Sequence, residues 1–121
     1  MKRCKVFKFL ALAMALAMLL SITAFAYSQS VSFSAGNGVT ATGSCAYRSA
    51  TTSASSPVYI EATVEFTYYR RNGFLASTKS NASNAGVSIT ASVPLPSDFG
   101  SHAVTIGNHT AGSGSAVTEY S

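Results

Sequence analysis

The clearest pattern in this chain is the alternation of apolar and polar residues over 57–70, PVYIEATVEFTYYR. Even positions from Val58 to Tyr68 are apolar or aromatic, whereas odd positions carry tyrosine, threonine and glutamate. Because successive side chains of a strand point to opposite faces, the pattern predicts a central strand with one buried and one solvated face. At ~3.3 Å per residue this strand would be about 45 Å long, which predicts a bend or a bulge partway along it.

Shorter alternating runs predict strands on both sides of the central one. The Asn37-Gly38 pair lies between two such runs, and a second pair, Asn72-Gly73, ends the central strand. Asn-Gly predicts a hairpin because both residues accept the positive φ angles of a type I′ turn. The runs together predict seven strands, at residues 30–35, 39–48, 57–70, 74–79, 86–93, 101–107 and 116–120.

Composition adds three details to this prediction. Residues 49–56 and 81–86 are rich in small polar residues without an apolar period, which predicts connectors. Gly43 occupies an inward position of its strand, which predicts a bulge or a close approach of another segment. Parity within 101–107 places Val104 and Ile106 on the inward face.

No helical period occurs beyond residue 26. The number and spacing of the runs predict an all-β fold, a single small antiparallel β-sandwich of about seven strands preceded by a helical signal peptide. Alternation with period two does not distinguish stacked sheets from a closed barrel, so a barrel remains the alternative to the sandwich.

The first 26 residues have the composition of an export signal. Four of the eight basic residues lie within the first eight positions, an apolar run follows at 9–20, and Ala24-Phe25-Ala26 fits signal peptidase. The sequence therefore predicts a signal peptide at 1–26 and a secreted, extracellular β-sandwich domain at 27–121, bacterial by the style of the leader. The alternative is a retained anchor, because residues 6–26 reach the ~20 apolar residues that a spanning helix needs.

Removing the leader changes the charge of the protein. Beyond residue 26 the chain has four basic and four acidic residues, so its formal charge is zero. This balance predicts no nucleic-acid partner and no membrane partner after signal cleavage. Low charge also leaves little electrostatic resistance to self-association, which would use edge strands.

Cys45 is the one cysteine beyond the leader, since Cys4 lies in its basic start. An intramolecular disulfide is therefore excluded. Shared parity with Val39, Ala41 and Tyr47 predicts that Cys45 is a small buried residue with a free thiol. The alternative is an intermolecular disulfide in an oxidising compartment.

Candidate catalytic groups are few. Glu61 and Glu65 would lie ~13 Å apart along the strand, beyond the roughly 5.5 to 9.5 Å of glycosidase carboxylate pairs, which favours cross-strand charge pairs. His102 shares parity with Val104, and His109 is predicted near a turn. No metal-ligand spacing occurs, so no catalytic residue, metal or cofactor is predicted.

One exposed patch is predicted as a binding surface. Tyr59, Tyr69, Arg70 and Arg71 lie on or just after the solvated face of the central strand. Aromatic and guanidinium groups of this kind form contacts with proteins or glycans. The competing interpretation is ordinary cross-strand packing, and the absence of tryptophan weakens a sugar-binding platform.

These features predict a secreted, non-catalytic module with a binding or structural role, whose partner would be an extracellular protein or a glycan. Two alternatives stay open. One is a secreted bacteriocin-like toxin or antimicrobial protein acting on neighbouring cells. The other is a small secreted hydrolase that uses Cys45 or a carboxylate together with His102 or His109, since such partners meet in space rather than in sequence.

Overall fold

The computed structural model describes residues 28–121, so the predicted signal peptide at 1–26 lies outside the described residues. Within residues 28–121 no helix forms, which confirms the all-β prediction, and no helix long and apolar enough to cross a membrane is found there. The strands are β1 (Ser30–Gly36), β2 (Val39–Ala46), β3 (Ser49–Arg70), β4 (Leu75–Ser92), β5 (Phe99–Ala111) and β6 (Gly114–Tyr120).

All six strands belong to one antiparallel sheet built around β3. The N-terminal part of β3 pairs with β2, its C-terminal part pairs with β5, and β4 runs along the opposite edge of both parts. β1 lies beside β6, where the Glu119 amide donates to the Ser28 carbonyl at 3.2 Å. The sheet is thus nearly closed into a barrel, and the predicted sandwich of two sheets is not confirmed.

The predicted irregularity in the central strand is present. Ser53 pairs with Ser88, whereas Val58 pairs with Gly86, so β3 has more residues than β4 across this interval. Pro57, which has no amide hydrogen for a ladder, lies within this bulge. A bulge bends its strand, and here it separates the part of β3 that pairs with β2 from the part that pairs with β5.

The structure has six strands where seven were predicted. Residues 49–56, predicted as a connector, form the start of β3, and residues 74–93 contain one strand, β4, instead of two strands and a loop. The predicted loop at 81–86 pairs with β3 residue by residue, for example Asn81 with Thr63. Its small polar side chains lie along a sheet edge, so backbone pairing defines the strand without an apolar period.

The predicted buried face of β3 is confirmed. Ile60, Val64 and Phe66 are each 0% exposed. The ring of Phe66 lies at the centre of an aromatic cluster, with centroid separations of 5.5 Å to Tyr47, 5.7 Å to Tyr68, 6.0 Å to Phe99 and 5.3 Å to His102. This cluster fills the end of the barrel nearest the β3–β4 turn.

The prediction that Val104 and Ile106 face inward is wrong, since both are only half-buried whereas Thr105 is 0% exposed. The reason is a bulge in β5: Thr67 pairs with Val104 and Tyr68 pairs with His102, which leaves the residue between them without a partner. One extra residue reverses the alternation beyond it.

Both predicted Asn-Gly turns are present, but only the first has positive φ angles at both residues. Asn37 and Gly38 have φ angles of 52° and 76°, as a type I′ turn requires. At the second turn, Gly73 has a φ of 88° and its amide donates to the Arg70 carbonyl at 2.8 Å. The second turn forms the tip of the β3–β4 hairpin.

Candidate functional site

A row of hydrogen-bonded polar side chains crosses the barrel interior. His109 is 1% exposed, so the prediction that it lies near a turn is wrong. Its Nδ1 atom lies 2.9 Å from the Thr52 hydroxyl, and its Nε2 atom lies 2.7 Å from the Thr118 hydroxyl. Thr52 and Thr118 are both 0% exposed. The imidazole of His109 therefore links β5, its own strand, to β3 and β6 by hydrogen bonds.

This row fixes the tautomer of His109. The Thr52 hydroxyl donates its hydrogen to the Glu61 carbonyl at 2.8 Å, so toward the imidazole it can only accept. Nδ1 of His109 must then carry the proton. Nε2 of the neutral ring is consequently an acceptor, and the Thr118 hydroxyl donates to it.

His102 has the opposite tautomer for the same kind of reason. The Thr105 hydroxyl donates to the Tyr47 carbonyl at 2.6 Å, so it accepts from Nε2 of His102 at 2.8 Å. The two histidines lie seven positions apart on β5, a separation that would place them on opposite faces of a regular strand. The β5 bulge at 102–104 turns both rings inward.

Cys45 is 2% exposed, as its parity predicted, and its thiol is free. The sulfur donates to the Thr105 carbonyl at 3.5 Å. Burial raises the pKa of the Cys45 thiol, which keeps it protonated and weakens it as a nucleophile. This position does not favour the predicted alternative of an intermolecular disulfide.

Among residues 28–121, neither histidine forms a hydrogen bond with Cys45 or with a carboxylate. Ring nitrogens of both histidines bind threonine hydroxyls, and the thiol binds backbone carbonyls. Within residues 28–121, no three side chains of the His, Cys, Asp and Glu types come close enough to hold a metal ion. The buried polar groups around the two histidines are hydrogen-bonded, whereas the buried Thr78 hydroxyl has no hydrogen-bond partner.

The predicted cross-strand charge pair is found for Glu65, whereas Glu61 binds neutral groups. Glu65 pairs with Lys79 at 3.2 Å. Glu61 accepts hydrogen bonds from the Tyr59 hydroxyl at 3.0 Å and from the Asn81 amide at 3.1 Å. Tyr59 therefore belongs to a polar row in the middle of the β3–β4 ribbon.

The structure separates the four residues of the predicted binding patch. Tyr59 and Tyr69 are ten positions apart on one strand, about 33 Å at ~3.3 Å per residue. Tyr69, Arg70 and Arg71 lie together at the hairpin tip, and for these three the prediction of a binding surface stays a prediction. Tyr59 is 52% exposed, but it does not belong to that surface.

Two residues at the hairpin tip were missed by the sequence analysis. Phe74 is 71% exposed and Leu75 is 59% exposed, beside Tyr69 at 46%. Leu75 is the cross-strand partner of Tyr69. The sequence contains a signal for this exposure: Phe74 and Leu75 are consecutive apolar residues directly after Asn-Gly, and consecutive side chains of a strand cannot both face the barrel interior. The hairpin-tip surface comprises Tyr69, Arg70, Arg71, Phe74 and Leu75.

Asp98 anchors this tip to the segment between β4 and β5. Its carboxylate accepts from the Tyr68 hydroxyl at 2.8 Å and pairs with Arg70 at 3.2 Å, while its carbonyl accepts from the Arg71 amide at 3.0 Å. The hydrogen bond to Asp98 raises the pKa of Tyr68. The tip is thus tied to the barrel at its base, although its apolar side chains are exposed.

Comparisons with protein-family models, curated proteins and solved structures returned no match. The geometry of residues 28–121 is therefore the basis for a functional proposal.

The structure also contains an open depression of about 600 Å³ near the end of β2, lined in part by Tyr47, Arg48 and Pro94. The Arg48 guanidinium donates to the Val93 carbonyl at 3.3 Å, so it is engaged with the wall of the depression. The depression is broad and shallow, unlike the enclosed pockets that bind small molecules.

The buried imidazole predicts an acid-sensitive fold. Burial lowers the pKa of His109 below its ordinary value of about 6.5, so the unfolded chain takes up the proton more readily than the folded one. The contribution of His109 to stability is complete above about pH 6.5 and is lost as the pH falls below it, by up to about 1.4 kcal/mol per pH unit. Protonation would also place an N–H against the Thr118 hydroxyl hydrogen.

The measurement is urea unfolding between about pH 7.5 and 5.5, a range in which carboxylates stay ionised. H109Q should reduce the slope of unfolding free energy against pH, because glutamine takes up no proton. The matched control is H102Q: burial also lowers the pKa of His102, but this ring is only half-buried and should account for less of the slope. An unchanged slope in H109Q would contradict the role of His109.

Proposed function

We propose that this protein is a secreted, non-catalytic binding module that contacts an extracellular protein through the hairpin-tip surface. The observation that carries the proposal is the exposure of Phe74 and Leu75, at 71% and 59%, at the hairpin tip that also contains the exposed residues Arg70 and Arg71. Exposed aromatic and aliphatic side chains next to arginine have the composition of interface centres.

The anchoring of the tip supports this proposal. Binding requires that contacting side chains lose conformational freedom, and a surface already held in place loses less of it. Asp98 holds both the Arg70 side chain and the Arg71 backbone. A tip held in this way presents its apolar side chains in a defined arrangement.

A protein partner is favoured over a glycan. The chain contains no tryptophan, and the two most exposed residues of the tip, Phe74 and Leu75, have no hydroxyl to bind a sugar. A non-catalytic role is favoured because the thiol and both imidazoles bind threonine hydroxyls and backbone carbonyls inside the barrel.

Removing the apolar side chains of the tip should weaken binding to the partner. We expect F74S/L75S to weaken binding of the labelled protein to cells of the producing organism by about thirtyfold or more, as loss of a hot spot of at least 2 kcal/mol implies. The measurement is a binding isotherm on intact cells. The matched control is V87S/L95S, because Val87 and Leu95 are each 50% exposed but neither belongs to the hairpin-tip surface.

Equal losses in F74S/L75S and V87S/L95S would contradict the proposal, as would saturable binding that neither double variant affects. Growth of neighbouring cells is recorded in the same experiment. Inhibition of growth by the wild-type protein would favour the toxin alternative over a binding module. Retention of that inhibition by F74S/L75S would show that the tip is not the active surface.

A further inference from the structure

The outer edge of β4 is unpaired among the described residues. β4 extends over Leu75–Ser92 and pairs with β3 alone, whereas β1 and β6 lie beside each other where the barrel nearly closes. The amides and carbonyls of β4 that point away from β3 therefore have no strand partner within residues 28–121. Such an edge is a template for another extended strand.

From Leu75 to Gly86, β4 lacks most of the features that protect natural sheet edges. Proteins protect such edges with proline, bulges, short strands or several charges. β4 is 18 residues long and contains no proline. From Leu75 to Gly86 it pairs with β3 residue by residue, without a shift in register. Its one charged residue, Lys79, is neutralised by Glu65 of the same chain at 3.2 Å. The edge is therefore long and regular, and β4 has no charge of its own that is left unpaired.

We propose that β4 is a dimerisation strand, on which the β4 strand of a second copy of this chain adds in the antiparallel direction. A two-fold axis perpendicular to the sheet relates the copies, and it keeps the two inward faces on the same side of the widened sheet. Alternate pairs in such a ribbon exchange two backbone hydrogen bonds, so an overlap of about 12 residues would form about 12 of them.

A second copy fits this edge better than an unrelated chain does. A neutral edge gives no electrostatic preference to a charged partner, and two neutral edges approach each other without repulsion. The side chains along the strand are mostly Ser, Ala, Thr and Asn, which are small enough to lie opposite themselves in any register. The contact uses the same surface on both copies, so it closes at two.

The dimer has a consequence for the hairpin-tip surface. Antiparallel pairing places the start of one β4 near the end of the other, so the two tips would lie at opposite ends of the widened sheet. The tip and the dimerisation strand share only Leu75, the first residue of β4. F74S alone therefore tests the tip without changing β4, and substitutions from Ala76 onward test the strand without changing the tip.

Introducing lysines on the exposed face of β4 should dissociate the dimer. We expect sedimentation analysis of the purified protein, expressed from the full chain, to show a dimer at micromolar concentration, and S77K/S83K to weaken it about tenfold or more. The lysines at position 77 carry most of this effect, because position 83 lies opposite Glu61. The matched control, S32K/S101K, adds the same charge at exposed positions of β1 and β5 and should remain dimeric.

Each outcome is decisive. A monomeric wild type, a ladder of larger species, or a dimer that S77K/S83K leaves unchanged would overturn the proposal. Circular dichroism verifies that the variants fold. Should S77K/S83K fail to fold, hydrogen exchange of the wild type replaces it: amide protection in β4 must rise with protein concentration while protection in β2 stays constant, and a concentration-independent β4 overturns the proposal.

Discussion

Replacing Phe66 with alanine is expected to destabilise the protein by about 3–5 kcal/mol, a large part of the total stability of a small domain. Phe66 is 0% exposed, and its ring lies between those of Tyr47, Tyr68, Phe99 and His102. Truncation removes buried apolar area and leaves a cavity. These neighbours cannot collapse into it easily, because Tyr68 is tied to Asp98 and His102 to Thr105.

Thermal unfolding followed by circular dichroism measures this effect. For a domain of this size the expected loss lowers Tm by more than about 12 °C. The control is F74A, the same chemical change at a side chain that is 71% exposed, which should alter the free energy of unfolding by no more than about 0.5 kcal/mol. Similar losses in F66A and F74A would contradict the placement of the aromatic cluster.

Replacing Gly43 with alanine is expected to destabilise the protein by about 1–3 kcal/mol or more through overpacking. A Cβ atom on Gly43 would lie 2.5 Å from Cδ2 and Cγ of His109. The ring cannot move away freely, because both of its nitrogens are hydrogen-bonded to threonines of β3 and β6. One added methyl group therefore disturbs the whole polar row.

The control for this substitution is G86A, since a Cβ atom on Gly86 would approach only the end of the exposed Asn84 side chain, at 3.3 Å. We expect G86A to change the free energy of unfolding by no more than about 0.5 kcal/mol. The decisive comparison is the double variant G43A/H109A, which should be less destabilised than the sum of its single variants, because each substitution relieves the conflict created by the other. Strict additivity would show that Gly43 and His109 do not share space.

The sequence was sufficient for the central strand because its apolar side chains alternate without interruption from Val58 to Tyr68. Burial of one face then fixes the orientation of every residue between them. The Asn-Gly turns were predictable for an equally local reason, since few residues accept positive φ angles. Gly43 as a point of close approach was also predictable, although the sequence did not show that a histidine ring fills the space.

The sequence was insufficient where pairing rather than composition decides the structure. Residues 81–86 have no apolar period, yet they extend β4 because β3 offers a full row of hydrogen-bond partners. The inward turn of His102 and Thr105 depends on one unpaired residue in β5, and a bulge of this kind has no sequence signal here. For the candidate site, the sequence identified Tyr69, Arg70 and Arg71 but not their separation from Tyr59.

The amino-acid order by itself determined that the chain folds as strands, which face of the longest strand is buried, and where two turns occur, because these depend on side-chain periodicity and backbone sterics. Only the tertiary structure decided that one sheet nearly closes on itself, that two histidines meet threonines inside it, and that Phe74 and Leu75 remain exposed. Those outcomes depend on register and bulges, which arise from contacts between residues far apart in the chain.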